Sequence, residues 1–272
     1  MDISGYFRKY GGIIDKRLDR FLPKAAWYPK VLYNAMRYAV FSGGKRVRPV
    51  LSLAASEACS GAWSDAIMPA CAVELVHAYT LVHDDLPAMD NADYRRGRLS
   101  CHKRFGEANA ILAGDALLTL AFGLLARGGD PARQIRMIRE LSTFIGAPGT
   151  VAGQAVDIAA KGKKTGKDII KYINYNKTAA LIAASLKMGA AAGTDDEVKI
   201  RAIEGFGKNL GLAYQIVDDV LDSEGYARIL GKDRALEEAR VLTKRALAHL
   251  KPLGAKGGRL IEIAYLLLAR TK

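Results

Sequence analysis

Residues 178–193, from Thr178 to Gly193, read TAALIAASLKMGAAAG. Apolar side chains fall on every face of a 3.6-residue repeat, and most are as small as alanine or glycine. Such a helix has to be packed closely by neighbours on all sides, which predicts a large bundle around a central layer. Outward from this stretch, apolar residues recur at spacings of three and four almost throughout, while strand-like alternation is nearly absent. The pattern predicts helices over roughly 28–41, 47–60, 65–84, 106–127, 131–145, 150–160, 168–192, 195–223, 233–250 and 256–270. Gly43-Gly44, Gly128-Gly129-Asp130-Pro131 and Gly146-Ala147-Pro148-Gly149 punctuate them. The predicted class is all-α. No linker interrupts the pattern, so 1–272 reads as a single domain, close to the roughly 250–300 residues at which one core stops growing.

Half of the 272 residues are hydrophobic, which excludes disorder, a collagen-like chain and a small disulfide scaffold. Lys and Arg number 41 against 28 Asp and Glu, a formal charge of +13. That excess admits nucleic acid, an anionic membrane surface or an anionic small molecule as partner. Cys59, Cys71 and Cys101 are odd in number and never spaced CxxC, which predicts ordinary thiols in a reducing compartment. No apolar run reads as reaching the ~18 residues of a membrane span, because Lys177, Lys187 and the Asp84-Asp85 pair cut the longest candidates. The start, Met1-Asp2-Ile3-Ser4, lacks the apolar core of a secretory signal, and the chain is expected in the cytoplasm.

Two segments echo one another: His77 to Asp85 and Leu212 to Asp219 are apolar helices that each end in an Asp pair. Asp90 follows the first pair and Asp222 the second. Carboxylates at a helix C-terminus stand at the wrong end of the dipole and repel one another, so a cation has to offset the arrangement. Oxygen-only donors without His or Cys spacing favour magnesium over zinc. Asp218 and Asp222 lie about 6 Å apart along one helical face and can serve one site. Either cluster alone reads as a solvated acidic surface; the basic groups nearby change that. Gly43-Gly44-Lys45-Arg46-Val47-Arg48-Pro49 sets three cations on a glycine turn leading into a helix, where backbone N–H groups favour anions. Arg95-Arg96-Gly97-Arg98 follows the first acid cluster closely. Lys177, with Thr178, stands mid-helix in an apolar stretch, where an ammonium needs a carboxylate or phosphate partner. The lysine run 161–167 reads instead as a solvated turn. Acids beside the bases would repel a nucleic acid, so the joint pattern points to a diphosphate held through metal.

Seven motifs stand in order: GGKRVRP (43–49), HDDLPAMD (83–90), RRG (95–97), HKRFGEANAILAGDALL (102–118), GQAVD (153–157), KT (177–178) and YQIVDDVLD (214–222). From about Tyr28 to its end the chain resembles the trans-isoprenyl diphosphate synthases, especially bacterial-type farnesyl diphosphate synthases. The resemblance implies the isoprenoid synthase fold, with the two Asp-rich motifs facing each other across the mouth of a central cavity, and a homodimer. It implies a chain-elongating prenyl transfer. Dimethylallyl or geranyl diphosphate ionises, the double bond of isopentenyl diphosphate attacks the cation, and a proton is lost. Farnesyl diphosphate is the expected product, with geranyl and geranylgeranyl diphosphate as alternatives.

By position, the resemblance implies three Mg2+ ions, Asp84 and Asp90 on two and Asp218 on the third, with Asp85, Asp219 and Asp222 in support. Arg95, Lys177 and Gln215 would hold the allylic diphosphate, and Lys177 with Thr178 would also stabilise the cation. Lys45, Arg48, His77 and Arg96 would hold the diphosphate of isopentenyl diphosphate. His77 stands two turns before Asp84 on the same face. Thr80 lies one turn below Asp84 and Tyr79 flanks it, where the resemblance puts the side chains that stop growth at the farnesyl length. A class I terpene cyclase would lack the second acid motif of this type and the GGKRVRP grip. A non-catalytic partner subunit would generally lack one acid motif. One departure stands out: after Asp222-Ser223-Glu224-Gly225 the resembling enzymes usually carry a loop of roughly fifteen to twenty residues, and mobile lids of this kind order on substrate binding. Here Gly225 is followed directly by Tyr226: either the loop is lost, and with it a lysine grip and further acids, or a mobile lid lies between them, which is the favoured expectation.

Overall fold

The computed structural model describes residues 1–127 and 129–270. Its elements are α1 (Ile3–Phe21), α2 (Lys30–Val40), α3 (Val47–Ser60), a 3₁₀ turn (Trp63–Ala66) leading into α4 (Ile67–Asp84), a two-stranded hairpin β1 (Tyr94–Arg95) and β2 (Arg98–Leu99), α5 (Cys101–Phe105), α6 (Glu107–Leu125), α7 (Pro131–Ile145), α8 (Thr150–Ala160), α9 (Lys167–Ile173), a π-helical turn (Asn174–Ala179), α10 (Ala180–Gly193), α11 (Glu197–Asp222), α12 (Gly225–Leu230), α13 (Lys232–His249), a 3₁₀ segment (Lys251–Gly257) and α14 (Gly258–Leu268). The all-α class is as read. Capping chemistry sets several starts: Asp2 accepts from Gly5 N, Asp130 from Arg133 N, and Asp196 from Val198 and Lys199 N.

α10 is the central layer, packed against α3, α4, α7 and α11 and buried at almost every residue from Ala180 to Ala192. Small side chains permit this. A Cβ on Gly189 would stand 2.1 Å from the Ser52 carbonyl oxygen of α3, and one on Gly211 of α11 would stand 2.7 Å from Ala179 Cα. Only glycine lets these backbones approach so closely.

The structure departs from the sequence reading at the hairpin, α5 and α12, where no element was expected, and in four further places. α1 is absent from the sequence reading although its apolar residues, Ile3, Tyr6, Phe7, Tyr10, Ile13, Ile14, Leu18 and Phe21, recur at helical spacing and pack on the core; Gly11-Gly12 in its middle is the one feature that reads against a helix. Tyr6 Oη ties it to α3 by donating to Glu57 Oε2 at 2.7 Å. The helix expected over 168–192 is broken by the π turn into α9 and α10. Two helical stretches, Trp63–Asp84 and Glu107–Leu125, are long and apolar enough to cross a membrane by length and composition alone, which corrects the reading that none is. Asp84 stands at the last position of α4 and does not cut it; Pro69 to Val76 are buried inside the bundle. Finally, only Ser223 and Glu224 connect α11 to α12, and Glu224 N donates to Asp219 O at 2.9 Å. The chain has no lid loop at this point, contrary to expectation. All three cysteines are buried free thiols.

Candidate active site

α4 carries His77, Tyr79, Thr80, His83 and Asp84 to its C-terminal end, where the chain folds back with Asp90 N on Asp84 O (2.9 Å) and Ala92 N on Asp85 O (3.1 Å). Beside it opens a cavity of ≈ 370 Å³ lined by Arg48, His77, Tyr79, Thr80, Asp84, Lys177 and Thr178 among others. α8 forms one wall with Val151, Gln154, Ala155 and Ile158, which recur at helical spacing. The Tyr79 and His83 rings meet edge to face with centroids 5.0 Å apart.

The π turn does the joining. A π turn carries an extra residue and often marks a functional site; here it turns Lys177 Nζ to 2.7 Å from Asp157 Oδ2 and 3.8 Å from Asp84 Oδ2. Three residues earlier, Asn174 Nδ2 donates to Asp219 Oδ2 at 2.8 Å. One six-residue turn therefore touches both acid clusters, which the sequence separates by more than a hundred residues.

Within each Asp pair the two carboxylates behave differently. Asp85 is buried and accepts from Arg95 Nε (3.0 Å) and Nη2 (2.5 Å). Asp219 is buried and accepts from Asn174 Nδ2, Gln215 Nε2 (2.9 Å) and Tyr226 N (2.9 Å). Both are internal anchors, because a buried carboxylate has to be paired. Arg95 and Gln215, expected on the allylic diphosphate, place donors on these anchors in the ligand-free protein. Asp84, Asp90 and Asp218 face other groups. Burial pushes Asp84 up to about 6, with Lys177 and Arg95 pulling it down and Asp90 and Asp85 pushing it further up. Asp218 is also raised, by burial first, while Arg270 acts in the opposite sense. Asp222 is exposed.

Each of these three carboxylates meets a cation of its own chain. Asp84 has Lys177, Asp90 has Lys161 (Nζ to Oδ1, 2.5 Å), and Asp218 has Arg270 (Nη2 to Oδ1, 2.5 Å). Among the described residues no three His, Cys, Asp or Glu side chains are gathered as a ready-made metal site. The donors nevertheless fit magnesium: they are oxygen-only, and the charge on half-buried Asp84 is one that a cation would offset. Asp84, Asp90 and Asp218 would hold it.

A second pocket of ≈ 500 Å³ adjoins the first and is lined by the 42–48 turn, Glu74, His77, Arg96, Tyr214 and Arg270, so Lys45, Arg48, His77 and Arg96 are brought together as predicted from the sequence. Its one lining carboxylate, Glu74, is taken by Arg46, which also binds Asp15 and the Val40 carbonyl and is therefore structural. His77 Nε2 lies 3.5 Å from Arg48 Nη1 and 3.4 Å from Arg96 Nη2. Burial, then Arg48 and Arg96, hold its pKa well below the ordinary histidine value. Its neutral ring can accept from both guanidiniums, and the pocket is left strongly cationic.

Three residues paired with the expected site residues escape the sequence reading. Asp157 orients Lys177, and its place in GQAVD was the available signal. Arg270, two residues beyond α14, lies 2.8 Å from the Tyr214 carbonyl and 3.8 Å above its ring, with no motif to mark it. Lys161 was assigned to solvent and instead sits on Asp90.

An all-α bundle in which one π turn reaches both Asp pairs, with a cavity at Asp84 beside a basic pocket, has the architecture of the isoprenoid synthase fold. A family model described as Polyprenyl synthetase matches residues 29–240, and the chain belongs to that family. It is 43% identical over 239 residues to the heterodimeric geranylgeranyl pyrophosphate synthase large subunit 1, chloroplastic, of Arabidopsis thaliana, covering 85% of this chain and 64% of that protein. The chain thus spans less than two thirds of that relative. It is 39% identical over 269 residues to a dimethylallyltranstransferase of Fischerella ambigua, covering 90% of this chain and 77% of that one. Among solved structures it is similar to an apo FPP/GFPP synthase from Zymomonas mobilis (TM-score 0.92, 34% identity, 98% of this chain and 99% of that one). It is similar also to a geranyltransferase from Legionella pneumophila (TM-score 0.90, 35% identity, 99% and 98%).

Proposed function

We propose that this chain is a magnesium-dependent, chain-elongating trans-prenyltransferase that joins isopentenyl diphosphate to dimethylallyl or geranyl diphosphate, with farnesyl diphosphate as its main product. The observation that carries the reading is the meeting of two unlike anion sites at Arg48 and His77, which line both cavities. One has an acidic mouth and an apolar wall; the other is cationic and short of carboxylates. Magnesium, when bound, would neutralise the diphosphate that leaves. Lys177, held in line by Asp157, would grip that diphosphate, and Leu81, Val151 and Ile158 would shelter the hydrocarbon from water. The basic pocket would hold the second diphosphate with its double bond toward the first cavity. Stabilising the developing charge electrostatically needs no protein nucleophile.

Tyr79 on the cavity wall supports a farnesyl product; the names of the plant relatives favour a geranylgeranyl product as the second reading. Incubation with magnesium, labelled isopentenyl diphosphate and a series of allylic diphosphates tests both. No incorporation with any starter contradicts the proposal and leaves a regulatory subunit as the reading. α6 presents Ile111 and Leu112 at 43% and 54% exposure on an apolar face, which supports a homodimer; light scattering on the protein alone tests it.

A further inference from the structure

The lysine run 161–167 is the basic segment that the proposed reaction leaves without a role. α8 lays one face along the first cavity, and Lys161, its C-cap residue, is thereby carried to the mouth. There Nζ lies 2.5 Å from Asp90 Oδ1 and 2.9 Å from the carbonyl oxygen of Met89, a residue that itself lines the cavity. The contact is open to solvent: the Lys161 and Asp90 side chains are 45% and 32% exposed. An ion pair this wet is weak and readily exchanged. Gly162 follows at φ 73, and nothing packs against its Cβ position. Lys161 therefore stands on the rim of the site with one carboxylate partner that the proposed reaction requires for another purpose.

Resting on the prenyltransferase reading, we propose that Lys161 is a further positioning residue for the allylic diphosphate. It holds Asp90 in the substrate-free protein and passes to a diphosphate oxygen when a divalent cation takes that carboxylate. The exchange keeps the charge at the mouth balanced, since Asp90 trades one cation for another while the ammonium gains an anionic acceptor. Three freely rotating N–H donors suit Lys161 to such a transfer between oxygens.

The test uses the full chain, Lys161→Met and two binding measurements. Manganese titrated into the substrate-free protein, followed by its spin-resonance signal, should bind about two- to fivefold more tightly to the variant, because a competing exposed ion pair is gone. Dimethylallyl thiodiphosphate, which does not ionise, should bind about tenfold more weakly at saturating magnesium, because a charge-assisted bond to an anion is lost. Lys161→Arg should recover most of that affinity. Parental values for either measurement in Lys161→Met overturn the proposal. Asp90→Asn serves as the separate control: if it binds manganese and the analogue like the parent, the reading of the acid cluster as the cation site fails instead.

Discussion

Asp84 and Asp85 are adjacent in the chain and opposite in behaviour, and Asp218 and Asp219 repeat the contrast. In each pair one carboxylate carries a pKa raised by burial and meets a cation from a distant part of the chain, Lys177 for Asp84 and Arg270 for Asp218. The other is buried and holds structure in place: Asp85 fixes Arg95 at the hairpin, and Asp219 fixes the π turn, Gln215 and the start of α12. Each outer carboxylate is thus aimed by an inner one. A like-charge pair at a helix end, unfavourable on its own, becomes workable because only one member is left for a cation.

The contrast can be broken by exchanging acids for amides. The largest effect is expected at the outer positions, where Asp84→Asn and Asp218→Asn should each lower turnover by ~10²–10³, the scale of losing one electrostatic group at a reacting centre. Steady-state kinetics with isopentenyl and geranyl diphosphates measures it. Next come the inner positions: Asp85→Asn and Asp219→Asn should cost about 3 kcal/mol of stability in urea melts, because buried donors lose a charged acceptor.

Asp84→Asn should change stability in the opposite direction. A carboxylate whose folded pKa is raised to about 6 destabilises the fold above that pH and has no such cost below its ordinary value near 4. The metal-free Asp84→Asn protein should therefore be more stable than the parent by about 2 kcal/mol at pH 7.5, and the gap should close as the pH falls to 4. Equal melts at both pH values would show that Asp84 is not held at a cost. The smallest effect is expected away from the acids. Tyr79→Ala should lengthen the product by one isoprene unit with little loss of turnover, and chromatography showing an unchanged chain length would remove Tyr79 from the growth stop.

Much of this was legible in the residues, for reasons that also mark the limits. α10 declares itself because apolar residues occupy all its faces, and α3, α7 and α8 begin and end where read because Gly43-Gly44, Asp130-Pro131 and Pro148-Gly149 punctuate them. The acid clusters and the GGKRVRP turn were found because opposite charges alternate at short range. The division of labour within each Asp pair was not, although helix geometry holds a trace of it: Asp84 shares a face with His77, and Asp85 with buried Ala78. The π turn is not legible: Asn174, Tyr175, Asn176 and Thr178 are weak helix formers, but weak propensity does not distinguish a π turn from an α-helix that tertiary packing holds. Lys161 and Arg270 find their carboxylates across long sequence separations through tertiary packing alone, so neither has a local signal.

The most direct test of the outer and inner roles is a manganese titration, with inorganic diphosphate present, of Asp84→Asn and Asp85→Asn under conditions where both are folded. The account predicts that Asp85→Asn keeps the parent's number of bound ions while Asp84→Asn binds fewer. Loss of ions in Asp85→Asn with the full number retained in Asp84→Asn would contradict it.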